Sequence, residues 1–199
     1  MVTYLIIGIT ILVSFLCFSN AKLLRRLALT PYRMAHNHEW YRVITHGFVH
    51  GDTVHLLVNM FTFWSFGTFI ESYFKALGFG NGAYLLLYFG GMIVASVHDV
   101  LTKRDNPYYS SVGASGAVSA VLFSYILLKP LGMIYFFAVL PVPAILFGVL
   151  YLVYCQYMAK RGTDNVNHNA HFYGAIYGFV LPILLRPSLL QAFFGQFGF

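Results

Sequence analysis

Of the 199 residues, 59% are apolar and only 9% are Asp, Glu, Lys or Arg. A soluble domain is about a quarter charged; a chain this apolar could not cover a water-facing surface, so its solvent is lipid. The net charge of +6 is scattered over loops, which points to lipid headgroups as the partner and argues against nucleic acid.

A spanning helix needs roughly 20 mostly apolar residues, and six segments approach that length. The first covers about 3–20. No basic region precedes it and no small-residue cleavage pattern follows, so it reads as a retained helix rather than a signal peptide. A polar stretch over 21–52 comes next. It is too long for a tight connection and keeps Trp40, Tyr41, Val43, Ile44, Phe48 and Val49, so it is expected to fold against the membrane surface. Helix two is expected over 53–73 and helix three over 82–102. The short loop from Lys103 to Ser111 leads to helix four at 113–129. Pro130, Gly132, Pro141 and Pro143 interrupt the apolar stretch 130–143. Prolines remove helix donors, so an interfacial hairpin is expected there. Helix five starts near Pro143, a favoured first residue, and ends near Ala159. Helix six covers 168–186. The expected fold is an all-α integral membrane protein, a six-transmembrane-helix bundle with a long membrane-associated first loop, forming one domain over 1–199. Cys17 and Cys155 both sit in apolar runs and are not expected to pair.

With six spans, helices two, four and six begin at the same face. Near those beginnings lie His55 and Asn59, then Gly113-Ala114-Ser115-Gly116, then Ala170-His171. At ~1.5 Å rise per residue, all fall in a layer less than ~10 Å deep. Polar groups are costly in lipid and turn toward a bundle interior or a water cavity. A serine hydroxyl is a weak nucleophile until a base takes its proton, and a neutral imidazole is suited to that. Ser115 and His171 therefore form a candidate dyad. No Asp or Glu is expected at that depth, since Asp164 lies in the preceding loop and Glu71 at the far end of helix two. His55 and Asn59, four residues apart, share a helix face and could donate to an oxyanion with the Ser115 amide at its helix N-terminus. Gly174 and Gly178 form a small-residue stripe that lets helix six approach helix four.

Each feature alone has a plainer reading. Gly-Ala-Ser-Gly alone is weak, because small residues are common in membrane helices, and one intramembrane histidine is more often a packing group or proton relay. His46, His50 and His55 could gather a metal, but no cysteine or acid accompanies them, and a structural role in the first loop is expected. His36, His38, His98 and His168 read as surface or interfacial. A transporter with a histidine relay would need polar residues along a whole path, and helices one, three and five offer few. No metal or organic cofactor is called for.

Five ordered motifs also resemble the rhomboid intramembrane serine proteases, over Trp40 to Gly178. These are Trp40-Tyr41-Arg42 with Thr45; His50, His55 and Asn59; Gly67 with Glu71; Gly113-Ala114-Ser115-Gly116; and Ala170-His171 with Gly174 and Gly178. The resemblance implies a peptidase acting on transmembrane protein substrates, with Ser115 as nucleophile, His171 as base, and His55, Asn59 and the Ser115 amide at the oxyanion. It implies the minimal bacterial six-helix form, multi-pass in the inner membrane, with both termini cytoplasmic and the site opening to the other face. The alternative within the family is a non-catalytic protein that binds membrane clients; it usually lacks the serine or the histidine, and both are present here. One departure is visible. Many family members carry an aromatic four residues after the serine, against the histidine; here that residue is Ser119, and Phe172 or Tyr173 are the candidates to compensate. The charges oppose the implied orientation. Lys22, Arg25, Arg26, Arg33, Arg42, Lys103, Arg104, Lys160 and Arg161 fall on one side and Lys75, Lys129 and Arg186 on the other, and the positive-inside rule places the larger set in the cytoplasm.

Overall fold

A computed structural model describes residues 1–136 and 139–198, with Phe136 described by its backbone alone. Six helices stand where six were expected: α1 (Val2–Phe18), then α5 (Thr53–Ala76), α6 (Gly80–Thr102), α7 (Ser115–Leu128), α8 (Ala144–Arg161) and α9 (His168–Leu185). Between the first two lie the short helices α2 (Ala21–Leu27), α3 (Pro31–Asn37) and α4 (Arg42–Thr45) and a 3-10 turn at His46–Phe48. After α9 comes α10 (Ser188–Gly195).

This is a helical membrane protein. By length and composition α5 and α6 can each cross a bilayer, and α9 with α10, bent by 113°, makes a third candidate if the pair is one span. Helices α1 and α7 are apolar but shorter, with 17 and 14 residues. The outward faces of the helices around α7 carry the lipid signature. Along α5, for instance, Val54, Leu57, Val58 and Phe61 are all at least 60% exposed, which water would not tolerate as one contiguous patch.

The shortest of the six is the central one. All of α7 is buried except Ser115 and Tyr125, because α5, α6 and α9 pack around it. At 1.5 Å per residue α7 is ~21 Å long against ~36 Å for α5. Gly174 and Gly178 permit the closest of these packings. A Cβ on Gly174 would overlap the Gly116 backbone, and one on Gly178 would overlap the Ala120 carbonyl. The Ser124 hydroxyl donates across the same seam to the Gly178 carbonyl at 2.7 Å.

The first loop is folded. The Arg42 side chain is 1% exposed and donates to the Arg25 and Ala28 carbonyls at 2.9 and 2.7 Å and to Glu39 Oε2 at 2.6 Å. This guanidinium ties α2 to α4. Burial raises the Glu39 carboxyl, but its hydrogen bond and ion pair with Arg42, helped by Arg33 and Tyr41, bring the net pKa below the ordinary value. Glu71 anchors the other end of the bundle. Fully buried on α5, it accepts from the Val2 and Thr3 amides at 2.9 Å each and the Thr3 hydroxyl at 2.8 Å. It satisfies orphan donors at the start of α1, which has no side-chain cap of its own. The 130–143 stretch contains the expected hairpin: β1 (Met133–Phe136) pairs antiparallel with β2 (Leu140–Pro143), Met133 opposite Pro143. Pro143 is the residue before α8 rather than its first.

Candidate active site

Two side-chain caps set the levels of the site helices. Asp52 Oδ1 accepts from the His55 amide at 2.8 Å and starts α5. Asn167 Oδ1 accepts from the Ala170 amide at 3.1 Å and starts α9. Helix α7 begins at Ser115 itself, two residues later than expected, because Gly113 has φ +118° and Ala114 is not helical. Ser115 is thus the first residue of its helix, where an N–H has no intrahelical acceptor and the dipole favours negative charge.

Packing sets His55 against the serine turn and the start of α9 against the start of α7. A Cβ on Gly113 would lie 2.7 Å from His55 Cε1 and 2.9 Å from Nε2, so the His55 ring sits against the turn that delivers Ser115. A Cβ on Gly116 would lie 3.4 Å from the Ala170 carbonyl, which puts the residue after Ser115 against the residue before His171. Ser115, His55 and His171 are half-buried and Asn59 is buried. Asn59 Nδ2 donates one hydrogen to the His55 carbonyl at 3.0 Å, leaving its second for another acceptor. Among the described residues, Ser115 and His171 share no hydrogen bond.

The first-loop histidines go elsewhere. His46 Nδ1 meets the Arg42 carbonyl at 2.9 Å, and the His46 carbonyl accepts from Gly113 at 3.0 Å. His46 therefore ties the loop to the serine turn. His50 Nδ1 meets Ser14 Oγ at 3.0 Å, and its ring is edge-on to His55 at 4.9 Å. These three rings do not form a metal-ligand group among the described residues. Burial holds His46 down at about 4, against the partial restoring effect of the Arg42 carbonyl and Asp99. Burial, with His55 nearby, holds His50 at about 3.

A family model described as "Rhomboid domain" matches residues 37–188. The chain belongs to the rhomboid family. It is similar to RHOMBOID-like protein 12, mitochondrial, of Arabidopsis thaliana, at 31% identity over 150 residues, 68% of this chain and 43% of that protein. It is also similar to rhomboid protease GluP of Bacillus subtilis (strain 168), at 31% identity over 125 residues, 60% of this chain and 23% of that protein. The chain thus spans less than half the length of each.

Three expectations about this rhomboid site need correction. First, neither Phe172 nor Tyr173 stands in for the missing aromatic; Tyr173 stacks on His98 instead. Tyr151 of α8 stacks on His171, centroids 6.2 Å apart and planes 16° apart. Its hydroxyl is 2.8 Å from Ser119 Oγ, so the small residue at 119 makes room for a ring from another helix and holds it. Second, an acid does lie at this depth. Asp99, near the end of α6, is 2% exposed and lines a small cavity with His46, Ser96, Ser115 and Asn167. It accepts from the Tyr109 hydroxyl at 2.7 Å and from Asn167, so it braces the α9 cap rather than His171. Helix parity could have found it, since the end of helix three shares a face with the starts of two, four and six. Third, His168 is buried, not surface, and faces the Asp164 carboxylate at 3.0 Å.

Proposed function

We propose that this rhomboid hydrolyses peptide bonds in or near transmembrane helices of membrane proteins through a Ser115–His171 dyad. The observation that carries the reading is the glycine seam. Gly116 against Ala170, with Gly174 against Gly116, brings the neighbours of Ser115 and His171 into backbone contact between α7 and α9. His171 takes the Ser115 proton as Oγ attacks the scissile carbonyl, then returns it to the leaving amine. The Ser115 N–H, the second Asn59 Nδ2 hydrogen and His55 are the donors for the oxyanion. In a six-span arrangement the short α7 holds Ser115 below the membrane surface. A helical substrate must unwind to present a carbonyl there, which favours Gly, Pro or other small residues near the cut. No metal or organic group takes part. The membrane is a bacterial inner membrane, with both termini cytoplasmic.

Cleavage of a model transmembrane substrate by purified protein tests this. Ser115→Ala and His171→Ala each abolish cleavage, and the double variant is no worse, because the two act as one unit. Asn59→Ala lowers turnover on the order of 10²–10³ with little change in substrate binding. Normal cleavage by folded Ser115→Ala would refute the mechanism. A second reading, a non-catalytic client-binding rhomboid, draws on the missing Ser115–His171 hydrogen bond. It predicts that wild type captures the substrate and never cuts it.

A further inference from the structure

Helix α8 sets Cys155 one turn beyond Tyr151, so both side chains face α9. Atoms able to bind metal on Cys155, His168 and His171 all lie within 4.8 Å of one another. Cys155 is a fully buried free thiol. His168 is 4% exposed; its Nε2 is 3.0 and 3.1 Å from the two Asp164 carboxylate oxygens, and its Nδ1 is buried with no hydrogen-bond partner. A buried ring nitrogen without a partner is costly in an apolar interior. Metal-bound histidines have this arrangement: one ring N–H is held by a carboxylate, which fixes the tautomer and directs the other nitrogen's lone pair to the ion.

We propose that Cys155, His168 and His171 form an inhibitory site for a soft divalent cation of the zinc class. A thiolate and two imidazoles suit zinc, whereas magnesium and calcium take oxygen ligands. Zinc bonds to sulfur and nitrogen are ~2.0–2.3 Å, so the three ligands close by about an ångström on binding. Water fills the fourth position. As the zinc–sulfur bond forms, the thiol proton leaves to water, so binding weakens as pH falls. A cleft lined by Asp99, Lys103, Met158, Asp164, Asn167 and His168 opens at the loop end of α9 and reaches one of the three ligands, His168; its two aspartates outnumber its one lysine. The consequence rests on the catalytic reading above: a His171 nitrogen committed to metal cannot take the Ser115 proton, and α8 becomes tied to α9.

The test uses the full-length protein, stripped of metal in detergent. Cobalt(II) serves as the binding probe, read by its thiolate charge-transfer absorption and displaced by zinc. Wild type shows the band, while Cys155→Ala and His168→Leu each lose it. In the cleavage assay zinc inhibits wild type, and Cys155→Ala keeps its zinc-free rate within about twofold but resists at least tenfold more zinc. No cobalt–thiolate band in wild type, or an unchanged band in both variants, overturns the site. A band with uninhibited cleavage overturns its inhibitory role. A band in a protein that never cleaves counts against the protease reading alone and leaves the metal site standing.

Discussion

An imidazole that must accept a proton and return it to a different atom works only if its ring holds still. On the proposed mechanism the ring of Tyr151, stacked on His171 with its hydroxyl 2.8 Å from Ser119 Oγ, provides the restraint. Tyr151→Ala removes both contacts. On the proposed mechanism it lowers kcat by about tenfold, ~1.4 kcal/mol in the barrier, while KM changes little. Tyr151→Phe keeps the stack and retains most of the rate. Adding Ser119→Tyr to Tyr151→Ala restores part of it, because a ring from position 119 then fills the vacated space. A merely structural role would instead move KM and thermal stability together and give no rescue. Steady-state kinetics on the three variants distinguish these outcomes.

Among the elements, the seam between α7 and α9 decides whether a site exists. At Gly178 an added methyl would run into the Ala120 carbonyl, a backbone atom that cannot step aside. Gly178→Ala therefore forces the helices apart, costing about 1–3 kcal/mol of stability and lowering cleavage at least tenfold. Gly8→Ala is the control. It lies within a helix too, but a Cβ there meets nothing within 4 Å, so stability and activity stay at wild-type levels. Thermal unfolding in detergent and cleavage rates check both. An undisturbed melting temperature for Gly178→Ala would mean that the seam is looser than its geometry.

At the scale of the whole molecule, acid should loosen the loop that braces the serine turn. His46 and His50 are held near about 4 and about 3, against 6.5 when free. Both pKa values are depressed by folding, so the unfolded chain binds protons first as pH falls. Their contribution is full above 6.5 and is lost progressively toward about 4 and about 3. Glu39, depressed by its Arg42 pairing, adds a loss in the same direction below 4.5. The melting temperature should fall between pH 7.5 and pH 4.5, and a flat profile over that interval would contradict it. Orientation is also decided at this scale. Arg42 is consumed by buried bonds within the first loop, so it counts as part of a folded element rather than as a free topogenic charge. A reporter fused after Phe199 should read cytoplasmic; a reading outside the cytoplasm would reverse the proposed topology.

The chain by itself determined where the six long helices run and that His55, Ser115 and His171 lie near the starts of three of them. Those are local matters: apolar length, capping residues, prolines and a rise of ~1.5 Å per residue set them. The tertiary structure alone decided that Tyr151 reaches His171, that Asp99 braces the α9 cap, that Glu71 closes the start of α1, and that Cys155 meets His168. Each of these joins two helices through side chains whose meeting depends on helix rotation and separation. Those depend on how closely backbones pack, as Gly116, Gly174 and Gly178 set it between α7 and α9. A sequence period of 3.6 names the face a residue occupies, but not which neighbouring face it will touch.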